Sequence, residues 1–223
     1  MLIDFKFSGR EVLVIGGGRE SYRKILKFLE DGAKVKVVSR TFTDEFKKLQ
    51  KSGRIELLWG EVKNVHTFIE GLKPKPFLLI AATDDRYLNT ELAVKAREAG
   101  CMVYAIDNPA ISDFTIPAIA NLGEVKVAIS TSGKSPAMAG IIRRRIEEAI
   151  REEDILKIRL LGMMRKTIKE AIPDQRTRKV IIYEILESPE VLMALREGKF
   201  DEAYSLAKKI IEDQLGGNLK NNR

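Results

Sequence analysis

The apolar run Val12-Leu13-Val14-Ile15 passes without a break into Gly16-Gly17-Gly18, and a helix-type pattern begins at Arg19. Few local sequences restrict a fold so narrowly. The run reads as a buried strand, the glycines as a tight turn, and the residues after them as the start of a helix. Gly16 permits a turn that a side chain would block, and Gly18 lets the backbone approach a pyrophosphate closely. A helix starting near Arg19 offers free N–H groups and the positive end of its dipole to the same anion. The third small position of this dinucleotide fingerprint is Ser21 rather than glycine. A Gly-x-Gly-x-x-small match alone is a weak signal, and its place directly after a buried-type strand strengthens it. The competing reading is a plain strand-to-helix turn that holds no ligand.

The pattern then repeats. Residues 11–15, 34–38, 54–59, 77–82 and 102–106 read as strands. Residues 19–31, 43–52, 62–72 and 85–99 read as the helices between them, with Thr43 as an N-cap. Phe77-Leu78-Leu79-Ile80-Ala81-Ala82 is apolar throughout, as expected of a central parallel strand covered on both faces. Strands alternating with helices predict an α/β fold with a Rossmann-type, doubly wound parallel sheet.

The rhythm changes after Asp107, where Asn108-Pro109 breaks the chain. Residues 113–119 are extended, Asn121-Leu122-Gly123 reads as a turn, and residues 124–130 form a strand, so a small β-hairpin is expected. A polar loop from Thr131 to Pro136 leads into a helix carrying Ile141, Ile142 and Ile146. From about residue 150 to 214 the pattern is helical, punctuated by Pro173 and Pro189, and residues 216–223 read as a frayed polar end. These changes divide the chain into a dinucleotide-binding domain (1–110), a hairpin and helix segment (111–149) and a helical domain (150–223).

An apolar content of 44% is enough for a packed core. No apolar run is long enough to cross a bilayer, and the first residues do not resemble a leader, so a cytoplasmic protein without a membrane partner is expected. One cysteine (Cys101) and one histidine (His66) exclude an internal disulfide and a Cys/His metal cluster. Cys101 reads as a small buried hydrophobe and His66 as a surface residue far from the strand ends. The net charge of +7 suits a nucleic acid, an anionic membrane surface or a polyanionic small molecule. The bases are interleaved with acids and no aromatic-basic platform is visible, which argues against nucleic acid.

Four segments stand in a telling order. They are Gly16-Gly17-Gly18 followed by Arg23-Lys24; Ala81-Ala82-Thr83-Asp84-Asp85 with Asn89; Ile106-Asp107-Asn108-Pro109 leading to Phe114, Pro117 and Ala118; and Ile129-Ser130-Thr131-Ser132-Gly133-Lys134-Ser135-Pro136. In this arrangement the chain resembles the siroheme synthase N-terminal family, the precorrin-2 dehydrogenases, some of which are also sirohydrochlorin ferrochelatases. The resemblance is close over residues 1–150 and loose over the helical tail. It implies that the first domain binds NAD and that two hydrogens are removed from precorrin-2 to give sirohydrochlorin. It also implies a homodimer built through the hairpin region, and a helical part that helps wall the tetrapyrrole cleft. Asp107 is then the catalytic residue. Gly16 and Gly18, Arg19 and Glu20 beside the turn, Arg40 and Thr41 after the second strand, and Ala82 and Thr83 after the central strand are the nucleotide contacts. Thr131 matches a position that is serine in some bifunctional relatives. The sequence departs from the family pattern at Glu20-Ser21, often Val-Ala, and at Tyr104-Ala105 before the aspartate.

The residues themselves allow this chemistry. Ligands of open α/β sheets bind beyond the carboxyl ends of the strands, where the glycine turn, Ala82-Thr83 and Asp107 all fall. A carboxylate there can accept a proton, hold a pyrrole N–H or steer a divalent metal. Its other reading is a cap for the Asn108-Pro109 turn. Lys134 and the helix start near Pro136 can receive a substrate carboxylate, and Arg143, Arg144 and Arg145 either contribute from the following helix or form a solvated face; with Thr131 from the resemblance, Thr131, Lys134 and Ser135 are the expected substrate contacts. Sites that take NAD usually carry an acid after the second strand. Here that stretch is Ser39-Arg40-Thr41, which favours NADP, while the resemblance favours NAD. Whether iron is also inserted stays open; with no metal site expected, Asp107 would have to serve. The rival from another class is an NAD-sensing regulatory module without turnover, which has no reason to carry the segment 107–136.

Overall fold

Strand β1 (Glu11–Ile15) is the middle of a five-stranded parallel sheet, with β2 (Lys34–Ser39) and then β3 (Ile55–Trp59) on one side and β4 (Leu78–Ala81) and then β5 (Met102–Ala105) on the other. The computed structural model describes residues 2–221, with side chains to residue 214. In chain order, α1 (Arg19–Glu30), β2, α2 (Asp44–Lys51), β3 and α3 (Val65–Gly71) follow β1. Then come β4, α4 (Arg86–Glu98) and β5. Val14 pairs with Val37 on one side and Ile80 on the other. The chain winds outward one way through β2 and β3 and the other way through β4 and β5. A crevice therefore opens between the carboxyl ends of β1 and β4, the switch point of such sheets.

The apolar runs are continuous because both faces of the sheet are covered. Val12, Val14, Leu78 and Ile80 pack with Ile25 and Phe28 of α1 and Phe46 of α2. The alternate residues Leu13, Ile15, Leu79 and Ala81 pack with Leu92, Ala93 and Ala96 of α4 and with Val65 and Ile69 of α3. Each fully buried Leu or Ile contributes roughly 1.5–3 kcal/mol. Cys101 lies in the second of these layers, and burial pushes its thiol pKa up. Thr43 is the N-cap residue of α2, but its hydroxyl makes no cap bond. The third helix starts three residues later than its pattern suggests, at Val65, because Asn64 caps it by accepting from Thr67 N at 2.9 Å.

The chain divides into two compact units, Met1–Ile116 and Pro117–Arg223. In the second, β6 (Ala118–Leu122) and β7 (Val125–Ile129) form the expected antiparallel hairpin. Its turn is Gly123-Glu124, not Asn121-Leu122-Gly123: Leu122 pairs with Val125, so Asn121 and Leu122 belong to the strand. Gly123 has φ +73°, the conformation a two-residue hairpin turn needs at its first central position.

Helix α5 (Pro136–Ala149) follows, then α6 (Glu152–Ala171), α7 (Gln175–Glu187), α8 (Pro189–Arg196) and α9 (Phe200–Asn221). Pro173 falls between α6 and α7, and Pro189 opens α8, where a missing N–H costs nothing. Leu160, Met164 and Ile168 of α6 meet Ile181 and Ile185 of α7, Leu195 of α8, and Ala207 and Ile211 of α9. Glu153 ties α6 to α8, accepting from Lys157 at 2.8 Å and Arg196 at 2.7 Å. Those hydrogen bonds hold its carboxyl at a pKa of about 2. Residues 216–221, expected to fray, continue the backbone of α9. The last two residues lie outside the described residues.

Candidate functional site

A cavity of about 860 Å³ occupies the crevice at the strand ends. That is within the ~300–1,000 Å³ range of cofactor pockets. Its wall is the glycine turn after β1, residues 39–43 at the end of β2 and beyond it, residues 60–62 after β3, and residues 82–88 from the end of β4 into the first turn of α4. The three glycines have different reasons to be there. Gly16 has φ +124°, and a Cβ on it would stand 2.1 Å from the Ala82 carbonyl oxygen. A Cβ on Gly17 would stand 2.3 Å from the Thr41 carbonyl oxygen. Both are required by the fold. Gly18 has an ordinary φ of −85°, and a Cβ on it would meet nothing within 4 Å. The fold does not need glycine at that position, whereas a close-lying ligand would.

Gly18 is also the N-cap of α1, and no side chain caps that helix. The N–H groups of its first turn have no intrahelical partner and can serve an anion. Ser21, the departure in the fingerprint, is buried, and its Oγ donates to the Gly18 carbonyl oxygen at 2.8 Å. The hydroxyl thus pins the turn while the side chain stays small enough to pack. Arg19 and Glu20 are exposed at the first helical positions and are not part of the cavity wall. Glu20 pairs with Arg23 at 3.0 Å.

Across the crevice, Ala82 N donates to the Ile15 carbonyl oxygen at 2.9 Å, which fixes the end of β4 against β1. Thr83 is clamped by three hydrogen bonds to Asn89, one of the two buried polar residues among those described. Asp85 caps α4 by accepting from Tyr87 N and Leu88 N, at 2.8 and 3.1 Å. On the other flank, Arg40 and Thr41 both line the wall, and Arg40 Nη1 lies 3.5 Å from Glu61 Oε1. Glu61 was not singled out by sequence, since nothing local marks it.

Asp107 follows β5, held at that edge by the Ile106 N to Ala81 O bond of 3.1 Å. Its Oδ2 lies 4.0 Å from Nε of Arg86, which lines the cavity. The turn after it is capped by Asn108, whose Oδ1 accepts from Ala110 N at 3.1 Å. The capping role that competed for Asp107 therefore belongs to its neighbour.

Thr131, Lys134 and Ser135 lie in the second unit. Thr131 Oγ1 accepts from Ser135 N at 3.1 Å, and Ser135 Oγ caps α5 by accepting from Met138 N at 3.3 Å. Lys134 is exposed. Both hydroxyls thus already shape the loop into the helix. His66 is exposed and lies 3.4 Å from Glu70. Among the described residues there is no cluster of three or more potential metal ligands, and no helix long and apolar enough to cross a membrane.

A parallel sheet of this order, with a glycine turn, an uncapped helix and a cavity at its switch point, is a dinucleotide-binding domain. Residues 3–118 match a family model described as NAD(P)-binding, and residues 123–149 match one described as sirohaem biosynthesis protein central. A siroheme synthase of Methylococcus capsulatus is 35% identical over 191 residues, which is 86% of this chain but 39% of that protein. A precorrin-2 dehydrogenase of Methanosarcina barkeri is 31% identical over 209 residues, covering 93% of this chain and 92% of its own length. The solved structure of SirC, a precorrin-2 dehydrogenase, superposes with a TM-score of 0.74 at 24% identity, covering 94% of this chain and 99% of its own. The chain belongs to the family of precorrin-2 dehydrogenases, which also forms a part of the longer siroheme synthases; it spans about two fifths of the length of the synthases it matches.

Proposed function

We propose that this chain is an NAD-dependent precorrin-2 dehydrogenase that oxidises precorrin-2 to sirohydrochlorin, acting as a cytoplasmic homodimer through the segment 111–149. The observation that carries the reading is Gly18, a glycine the fold itself does not require, beside an uncapped helix N-terminus and on the wall of a cofactor-sized cavity. Gly16 and Gly18 with the backbone N–H groups of the first turn of α1, those of Arg19 and Glu20 included, receive the pyrophosphate, while the two side chains stand off the cavity wall. Arg40 and Thr41 flank the adenosine end, and Ala82 and Thr83 lie over the nicotinamide.

Bound NAD supplies the hydride acceptor. The chain's own part is to orient the macrocycle and to take the proton that leaves with the hydride. Asp107 is suited to that second task. It stands at the sheet edge near the cavity, its carboxylate is not used to cap the following turn, and the cation of Arg86 lies 4.0 Å from it. Lys134, with Thr131 and Ser135, is proposed to hold substrate carboxylates, as a cation on a polar loop can.

The test is the absorbance of sirohydrochlorin formed by purified protein from precorrin-2 and NAD. Turnover that requires NAD supports the reading. Tight NAD binding without turnover overturns it in favour of a regulatory NAD sensor. Incubation of sirohydrochlorin with ferrous iron and no NAD, in the same assay, decides whether the chain is also a ferrochelatase.

A further inference from the structure

Dinucleotide sites that take NAD place a carboxylate just past the second strand, where it accepts the ribose hydroxyls and repels a 2′-phosphate. In this chain the corresponding stretch, Ser39-Arg40-Thr41, has no acid and presents a cation. The adjacent strand brings the missing group. Ser39 pairs with Trp59 at the ends of β2 and β3, and Gly60 N then donates to the Ser39 carbonyl oxygen at 3.0 Å. Pairing that continues past the end of β3 brings Glu61 beside Arg40, 3.5 Å away, on the same cavity wall.

The pair suits ligand exchange. The side chains of Arg40 and Glu61 are 75% and 47% exposed, so water screens their attraction and a ligand can compete for either. The other acids on the cavity wall, Asp84 and Asp85, follow β4, on the opposite side of β1 from β2 and β3. Asp85 is already committed to capping α4.

We propose that Glu61 is the residue that selects NAD over NADP. It accepts the hydroxyls of the adenine ribose from the end of the third strand, and it denies a 2′-phosphate the full charge of Arg40. The proposal rests on the reading of this cavity as a dinucleotide site and makes it more specific. With Glu61 neutralised, Arg40 is free to pair with a 2′-phosphate, and the preference narrows or reverses.

The test uses the full chain and the reduced cofactors alone, without tetrapyrrole. The single tryptophan, Trp59, lies two residues before Glu61 and reports binding by energy transfer to the reduced nicotinamide ring. The unaltered protein binds NADH about tenfold or more tighter than NADPH, the scale of one like-charge encounter. In Glu61→Gln, an exposed isosteric change, NADH binding weakens and NADPH binding tightens, so the ratio falls by about tenfold. Adding Arg40→Ala removes the gain for NADPH. A ratio unchanged in Glu61→Gln, or equal or tighter binding of NADPH by the unaltered protein, overturns the role of Glu61 while leaving the dinucleotide site standing. Binding of neither cofactor overturns the site itself and the proposal with it.

Discussion

Asn89 holds Thr83 from three directions. Its Oδ1 accepts from Thr83 N at 3.0 Å and from Thr83 Oγ1 at 2.7 Å, and its Nδ2 donates to the Thr83 carbonyl oxygen at 2.9 Å. Asn89 is 1% exposed and Thr83 half-buried, so these bonds are partly shielded from water. A side chain from α4 thereby sets the loop at the end of β4, the loop proposed to lie over the nicotinamide.

Asn89→Leu keeps the volume but leaves the half-buried Thr83 backbone groups without their side-chain partner. A loss of about 2–3 kcal/mol is expected in chemical denaturation, together with weaker NADH binding. Asn89→Asp keeps the acceptor for Thr83 N and Oγ1, loses the donor, and falls between the two. Equal NADH binding in all three proteins removes Asn89 from the positioning of the loop.

The glycines of the turn are expected to separate stability from binding. Gly16→Ala puts a Cβ 2.1 Å from the Ala82 carbonyl oxygen at φ +124°, so it destabilises by about 3 kcal/mol or more. Gly18→Ala has open space and an ordinary φ, so its melting temperature stays close to that of the unaltered protein. Its NADH affinity nevertheless drops, because the added methyl occupies the approach of the pyrophosphate. Thermal melts and Trp59 energy transfer on the same samples check both halves.

Ser21→Ala removes a buried hydroxyl that donates to the Gly18 carbonyl oxygen at 2.8 Å. The expected loss is about 1 kcal/mol. Nucleotide affinity falls by less than in Gly18→Ala, since the turn is loosened rather than blocked. A loss of binding as large as that of Gly18→Ala would mean that the hydroxyl itself meets the ligand.

Asp107→Ala leaves the fold and NADH binding intact, because Asn108 rather than Asp107 caps the turn. Dehydrogenation slows by about a hundredfold to ten-thousandfold, the range for loss of a positioned proton acceptor. Single-turnover formation of sirohydrochlorin at saturating NAD is the measurement. Turnover at the unaltered rate removes Asp107 from the chemistry.

The helical unit carries an acid-sensitive tie. Hydrogen bonds from Lys157 and Arg196 lower the Glu153 pKa from an ordinary 4.5 to about 2 in the folded chain. A carboxyl whose pKa is depressed by folding stabilises fully above its unfolded pKa and loses that contribution as the pH falls through the folded one. The contribution of Glu153 is therefore lost between about pH 4.5 and pH 2. In denaturation measured across that window, Glu153→Gln shows a flatter dependence on pH. Superimposable curves would show that the tie contributes nothing.

The parallel sheet and its glycine turn were legible because their signals are local. Alternate residues of a strand reach opposite faces, so a strand covered on both faces reads as unbroken apolar sequence, as at residues 77–82. The hairpin was legible as two extended runs, but its turn was misplaced by two residues. Asn121 is an ordinary turn former, and only the pairing of Leu122 with Val125 shows that the strand continues through it. Thr43 stands where a cap belongs, yet its hydroxyl makes no cap bond, because capping depends on a rotamer that neighbours decide. Arg19 and Glu20 adjoin the glycines in sequence, and both are exposed at the start of α1 without lining the cavity.

By itself the sequence determined the class of the fold, the glycine turn and the order of the strands and helices, since backbone freedom and hydrophobic period act within a few residues. Only the tertiary structure decided which distant groups face one another. Asn89 reaches Thr83 because α4 folds back over the end of β4, and Glu61 reaches Arg40 because β3 lies alongside β2. Separations along the chain of six and about twenty residues carry no such information; the register of the sheet and the packing of its helices supply it.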